Sequence, residues 1–289
     1  MGTLPLDDPA RELLRIALEE DLGEEGDITS AFFVPLDLRK KARIFGKEEG
    51  ITLSGVSLAA EVFAMVDPEL VVSCEAQEGE TIAREQSVLT VEGKVQSILT
   101  AERTALNFLQ RLSGVASLTR KYVLAAGSRV QVLDTRKTTP GWRRLEKDAV
   151  GHGGGVNHRF GLHDAFLVKD NHLLAAASLD QLGPALQEAR RQHPEKKLQM
   201  EVDTLDQLKT LLRYPEIDGF LLDNMSLKEL REGVAMRDSC RAGEVFLEAS
   251  GGVNLDTIGA IGETGVDFIS VGALTHSAVA VDLSLELLD

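Results

Sequence analysis

From residue 178 onward, short apolar runs alternate with amphipathic segments, and few folds can accommodate that alternation. The runs are Leu198–Val202, Phe220–Leu222, Val245–Leu247 and Phe268–Val271. Between them apolar residues recur at intervals of three and four: Leu205, Leu208, Leu211 and Leu212, then Leu227, Leu230 and Val234. Runs of three to five residues suit strands, and the 3.6-residue period suits helices with one buried face. Ser178 with Gln181, Thr204 with Gln207, and Ser226 with Glu229 have the spacing of capping boxes, in which hydroxyl and third-residue side chain satisfy each other's backbone N–H. Val130–Leu133 and Ala165–Val168 extend the scheme upstream to six βα-like units, which calls for a parallel sheet with crossover helices.

Where the polar residues fall decides whether such a sheet closes. Asp134 leads into Arg136 and Lys137. Later runs end at Lys169 and Asp170, Glu201 and Asp203, Asp223 and Asn224, Glu248 and Ser250, and Gly272. Polar groups gathered at the carboxyl ends of successive parallel strands are the layout of an α/β barrel, whose site lies on that face. An open doubly wound sheet would concentrate them at one crevice. The expectation is therefore an α/β barrel, with six strands legible and an irregular seventh.

The first 112 residues follow another pattern. Leu13, Leu14, Ala17 and Leu18 form a helical stripe, and β-like runs at Ala42–Phe45, Val71–Cys74 and Ser87–Val91 are punctuated by glycines. Ala101–Leu112 is an amphipathic helix with Ala105, Leu106, Leu109 and Leu112 on one face. This predicts a small α+β domain over residues 1–112, beside a barrel over 113–276. No low-complexity tether separates them.

Charge narrows the partners. The chain of 289 residues carries a net −15, which opposes a general grip on nucleic acid or anionic lipid. Aromatic residues make up 4%, too few for base-stacking platforms. No run approaches the roughly 18 apolar residues of a membrane span, and the acidic N-terminus does not read as a secretory signal. Two distant cysteines, Cys74 and Cys240, suggest neither a disulfide framework nor a zinc site, so the expected compartment is reducing cytoplasm. Against this acidic background, Asp134–His172 holds seven Lys/Arg and five acids, leaving the window at +2 and the remaining chain at −17. Four of the six histidines lie in it too. Such an island suits a small anionic ligand; as a solvated basic loop it would mean nothing.

The chemistry-bearing residues sit at the expected strand ends. Arg136 offers a planar fork for carboxylate or phosphate, and Lys137 a point charge. Gly153–Gly155 forms a bend before His158 and Arg159. Lys169 would pass for a surface lysine alone, but beside Arg136 and Arg159 it becomes a ligand candidate. Glu201 and Asp223 end different strands on one barrel face. They could serve glycoside chemistry, ribose hydroxyls, or magnesium. Ser250, Gly251 and Gly252, with Gly272, follow the last two strands, where α/β barrels often cradle phosphate in backbone N–H groups. His276 is nearby. Walker, nucleophile-elbow, zincin and dinucleotide motifs are absent, so the site gathers anions without an activated nucleophile.

Taken together, Thr135-Arg-Lys-Thr-Thr-Pro-Gly, Gly153-Gly-Gly-Val-Asn-His-Arg, Val168-Lys-Asp-Asn-His, Glu201-Val-Asp, Leu221-Leu-Asp-Asn-Met and Glu248-Ala-Ser-Gly-Gly-Val resemble the quinolinate phosphoribosyltransferase family. Glu20-Asp-Leu-Gly-Glu-Glu-Gly-Asp-Ile-Thr and Glu102-Arg-Thr-Ala-Leu-Asn-Phe are similar too, so the likeness runs nearly end to end.

The resemblance implies an open-faced sandwich domain, a seven-stranded α/β barrel, and a tail (277–289) that rejoins the sandwich. It implies transfer of phosphoribosyl from 5-phosphoribosyl-1-pyrophosphate to quinolinate, assisted by Mg2+. The products would be nicotinate mononucleotide, pyrophosphate and carbon dioxide, on the de novo route to NAD. It assigns the quinolinate carboxylates to Arg136, His158, Arg159 and Lys169. The phosphoribosyl side falls to Lys137, Glu201, Asp223, Ser250, Gly251, Gly252, Gly272 and His276. Lys137, Lys169, Glu201 and Asp223 are the candidate catalytic groups, and Glu201 and Asp223 would hold magnesium, directly or indirectly. Arg103 matches an arginine donated across subunits, implying at least a homodimer. The rival readings are a relative that ribosylates a monocarboxylate such as nicotinate without decarboxylation, and a silent binding protein that keeps the barrel.

Overall fold

The computed structural model describes residues 8–169, 172 and 182–289. The chain divides into two compact units: Met1–Arg120 with Thr139–Gly154 and Ser277–Asp289, and Lys121–Thr138 with Gly155–His276.

The first unit begins with α1 (Asp8–Leu22) and α2 (Ile28–Phe33). In α1 the four-residue step between Leu14 and Leu18 puts both on the buried face. Asp27 caps α2, its carboxylate accepting from the Ser30 N–H at 2.9 Å. β1 (Arg39–Gly46), β3 (Val71–Cys74) and β5 (Ser87–Lys94) join β12 (Leu283–Leu288) in an antiparallel sheet ordered β12-β1-β5-β3. The chain's end is thus a strand of the first unit, registered Gly46 to Leu283 and Lys41 to Leu288. β2 (Ile51–Thr52) pairs with β4 (Thr81–Ile82), and α3 (Val56–Val66) packs on β3 and β5. Ile44, Phe63, Leu89, Ile98, Leu106 and Leu109 are fully buried, each stabilising by about 1.5–3 kcal/mol on transfer from water.

α4 (Val95–Ala126) is far longer than the helix expected over 101–112. Gly114, which could have ended it, sits inside instead, because a Cβ there would lie 2.1 Å from the Val279 carbonyl oxygen. The tail crosses the helix at that glycine. The domain boundary expected after residue 112 therefore falls within α4, and the units divide at Arg120. Thr139–Gly154, assigned by sequence to the 113–276 domain, belongs to the first unit. Most of it is α5 (Arg143–His152), a helix within the segment that charge counting treats as a basic island.

The second unit is an α/β layer structure. β6 (Gln131–Leu133), β7 (Phe166–Val168), β8 (Leu198–Val202), β9 (Gly219–Asp223), β10 (Phe246–Ser250) and β11 (Phe268–Ser270) form one parallel sheet ordered β6-β11-β10-β9-β8-β7. All six legible runs are strands in it. A parallel bridge ties Val156 to Leu133, beyond β6. Between strands lie α6 (Leu182–Gln192), α7 (Leu205–Leu211), α8 (Leu227–Arg241), α9 (Ile258–Gly262) and α10 (Ala273–His276). Both bonds of the Thr204–Gln207 and Ser226–Glu229 capping boxes form; the Ser178–Gln181 box lies outside the described residues. Met200, Phe220, Leu222, Leu247 and Ile269 are fully buried, as strands covered on both faces require. Among the described residues no helix is long and apolar enough to cross a membrane.

Candidate functional site

At the carboxyl ends of the second unit's strands lies a cavity of about 730 Å³. It is lined by four cations, Arg136, Lys137, Arg159 and Lys169, and three carboxylates, Glu201, Asp223 and Glu248, with His158 and His276. An acidic chain thus gathers four cations on a concave surface, where field lines focus.

The short loop after β6 carries Arg136 and Lys137. Its shape is set locally: the Lys137 N–H donates to the Thr135 hydroxyl (3.1 Å), and the Thr275 hydroxyl donates to the Lys137 carbonyl (2.7 Å). Gly272 completes this corner. A Cβ there would sit 3.1 Å from His276 Nε2 and 3.3 Å from Lys137 Cδ, so only hydrogen lets the two side chains flank it closely.

His158 and Arg159 follow the Val156 bridge. Buried Asp134 accepts from the His158 backbone N–H at 2.8 Å, and the Arg159 guanidinium donates to the Ala165 carbonyl at 3.1 Å. Burial, and then the like charge of Arg136, hold the Arg159 guanidinium below its ordinary pKa, with Asp164 opposing. Two guanidiniums held against mutual repulsion are relieved by an incoming anion.

Lys169, after β7, donates to Glu201 on β8 at 2.6 Å. Asp223 ends β9 and accepts from the Asn224 side-chain amide at 2.7 Å. Asn224 has φ of 53°, a left-handed conformation that a short amide tolerates and that turns its side chain back onto the preceding carboxylate. Its N–H donates to the Ser250 carbonyl at 2.8 Å. Gly251 and Gly252 follow with φ of 92° and 59°. A Cβ on Gly251 would meet Asn224 Oδ1 at 2.2 Å. Successive residues of this kind turn backbone N–H groups toward one point, as an anion cradle needs.

Of the site residues expected from sequence, Lys137, Glu201, Asp223, Lys169, Arg136, His158, Arg159, Ser250, Gly251, Gly252, Gly272 and His276 all line this one cavity. Arg103 does not; it is exposed on α4, in the other unit. The basic island divides as well. Arg143, Arg144 and Lys147 stand on α5, and His152 bonds the Ser54 hydroxyl at 2.9 Å in the first unit. Glu248 and Asn224, which the sequence marks only as polar strand ends, also line the cavity, as do Thr135 and Ser270. The available signal was Glu248 itself, a carboxylate in the middle of an otherwise apolar strand.

Fold and cavity together define an α/β protein with a cation-lined cavity at its strand ends. Residues 27–113 match the quinolinate phosphoribosyl transferase N-terminal domain, and 115–286 match the C-terminal domain of the same name. The chain belongs to the quinolinate phosphoribosyl transferase family. It is 41% identical to a nicotinate-nucleotide pyrophosphorylase [carboxylating] of Mycobacterium leprae, over 97% of this chain and 98% of that protein. Identity is 39% with a mitochondrial quinolinate phosphoribosyltransferase [decarboxylating] of Nicotiana tabacum, over 96% and 82% of the two chains. The solved nicotinate-nucleotide pyrophosphorylase of Francisella tularensis superposes with a TM-score of 0.90 at 38% identity, over 99% of this chain and 98% of that one.

Proposed function

We propose that this protein transfers the phosphoribosyl group of 5-phosphoribosyl-1-pyrophosphate to the ring nitrogen of quinolinate with loss of carbon dioxide, supplying nicotinate mononucleotide for NAD synthesis. One observation carries the reading: in a member of this family, four cations and two strand-end carboxylates, Glu201 and Asp223, share one cavity. A planar dicarboxylate needs several cations, since one fork neutralises one carboxylate.

In this reading Arg136, Arg159 and Lys169 hold the acid, with His158 beside them. Lys137, His276 and the Ser250–Gly252 turn with Gly272 receive the phosphoribosyl donor. As the bond from ribose C1 to pyrophosphate breaks, positive charge grows on the sugar, and Glu201 and Asp223 stabilise it electrostatically. The ring nitrogen then forms its bond to C1 and becomes cationic. That charge accepts the electron pair left when the adjacent carboxylate departs as carbon dioxide, and a proton replaces it on the ring carbon. Lys137 and Lys169 are the cavity's ammonium groups and, with water, the candidate sources of that proton. The protein contributes positioning and charge rather than covalent chemistry.

Glu201, bonded by Lys169, and Asp223, bonded by Asn224, would hold a magnesium ion, directly or indirectly. When bound, the ion neutralises charge on the leaving diphosphate.

The second unit reads as a seven-position barrel. Val156 supplies the irregular seventh strand beside β6, and Gln199 on β8 reaches Glu248 on β10 at 2.7 Å, across β9, as inward side chains of a closing sheet do. Arg103, outside the cavity of its own chain, is assigned to the cavity of a second copy, which makes a homodimer the working unit. The expected compartment is cytoplasm, consistent with two free cysteines.

The test is carbon dioxide release requiring quinolinate, the phosphoribosyl donor and magnesium together. No release from folded protein would refute the reading, and equal turnover of nicotinate would favour a monocarboxylate enzyme. Mixing inactive Arg103→Ala and Lys137→Ala chains should regenerate activity through hybrid dimers. Failure to do so would remove the shared site.

A further inference from the structure

Glu248 is 1% exposed, yet it lies in the floor of the cavity. A carboxylate inside a parallel sheet costs several kcal/mol unless every oxygen is engaged. Here each one is. The Gln199 amide donates to Oε2 at 2.7 Å, the Ser270 hydroxyl donates to Oε1, and His158 Nε2 lies 3.3 Å from Oε2. Burial raises the Glu248 pKa, but the hydrogen bonds it accepts from His158, Ser270 and Gln199 hold the carboxyl below its ordinary range. The group is an anion.

The other nitrogen of the same imidazole fixes where its proton sits. The Arg159 backbone N–H donates to His158 Nδ1 at 2.7 Å, so that nitrogen presents a lone pair. The remaining proton is on Nε2 and points at Glu248. The ring thus has both nitrogens engaged. It braces the backbone of Arg159, whose guanidinium faces the cavity.

We propose that Glu248 is a positioning residue of the acid-binding half of the site: it locks His158 as the neutral Nε2–H tautomer and thereby sets the placement of Arg159. The proposal rests on the reaction assigned above for its kinetic arm only, because the tautomer can be read without turnover. A buried polar layer that merely specifies strand packing would need Gln199 and Ser270, but would have no use for a particular histidine tautomer.

The experiment combines ¹⁵N-histidine NMR of the whole protein with steady-state kinetics, His158 being assigned by the signal lost in His158→Asn. The expected wild-type spectrum shows Nε2 protonated and Nδ1 bare at neutral pH. In Glu248→Ala the His158 tautomers should mix, and the KM for quinolinate should rise roughly ten-fold while kcat and the KM for the phosphoribosyl donor stay within about two-fold. Glu248→Gln keeps an acceptor oxygen and should restore both the tautomer and the KM. A wild-type ring protonated on Nδ1, or on both nitrogens, overturns the proposal. So does a Glu248→Ala enzyme that loses kcat and both affinities alike. If Glu248→Ala does not fold, the wild-type spectrum and Glu248→Gln decide: a Gln variant with a changed tautomer or a raised quinolinate KM overturns it equally. Wild-type protein that shows the expected tautomer but does not turn over quinolinate leaves the brace standing and refutes the assigned reaction instead.

Discussion

The two units each bury a glutamate, and the two are used differently. Glu146 on α5 is 0% exposed and spends its carboxylate on structure. It accepts from Arg111 at 2.9 Å and from the Thr139 N–H and hydroxyl at 3.0 and 2.9 Å, while Arg111 also donates to the Ala278 carbonyl at 2.5 Å. That network ties three distant stretches of chain within the first unit. Glu248 is as deeply buried but looks into the cavity and holds an imidazole. A fully paired ion in a closed interior secures connectivity; the same group on a cavity floor secures the geometry of a ligand's neighbours.

The contrast can be broken by substitution. Glu146→Ala removes a buried acceptor from half-buried Arg111 and from the Thr139 N–H and hydroxyl, and should cost about 3 kcal/mol of unfolding free energy, read as a lower denaturant midpoint. A loss under about 1 kcal/mol would mean that the pair is not what holds those segments. Next in size, Arg136→Ala removes a cation the first unit does not need. It should lower kcat/KM for quinolinate roughly 100-fold, equivalent to about 2.7 kcal/mol, with the thermal midpoint unchanged. A matching drop in stability would place Arg136 with Glu146 instead. Smaller still, Thr204→Ala removes one half of the α7 capping box and should cost about 1 kcal/mol with no kinetic effect.

Acid titration sharpens the same comparison. Because folding lowers the Glu248 pKa, the native state holds its proton less tightly than the unfolded chain. Its contribution is therefore complete above the unfolded carboxylate pKa and is lost as pH falls through the lower, native one. Glu248→Gln should flatten the acid limb of the stability curve. An unaltered limb would show that Glu248 is not held as an anion.

Much of this organisation is legible in the residue order. Leu198–Val202 and Phe220–Leu222 announce strands because an apolar run of that length buries both faces of a parallel strand, and Thr204–Gln207 marks the helix start between them through a local bond. Most expected cavity residues fall at such a strand end, whereas His158 and Arg159 follow the Val156 bridge, His276 ends α10 and Arg103 lies on α4. α5 escaped because Arg143, Arg144, Lys147 and Asp148 give it the look of a solvated loop, and its buried side rests on Glu146, which finds Arg111 only after folding. The length of α4 was hidden for a similar reason: the stripe legible over 101–112 stops short of Gly114, and the tail that packs on that glycine is distant in sequence.

Local patterning thus determined the strands, most helix starts and the set of anion-seeking side chains, since periodicity, capping and charge act over a few residues. Tertiary structure alone decided that β12 closes the first sheet, that the basic island splits between the two units, and that the proton of His158 points to a glutamate 90 positions away in sequence. Those outcomes depend on contacts between groups far apart along the chain, and burial sets their strength.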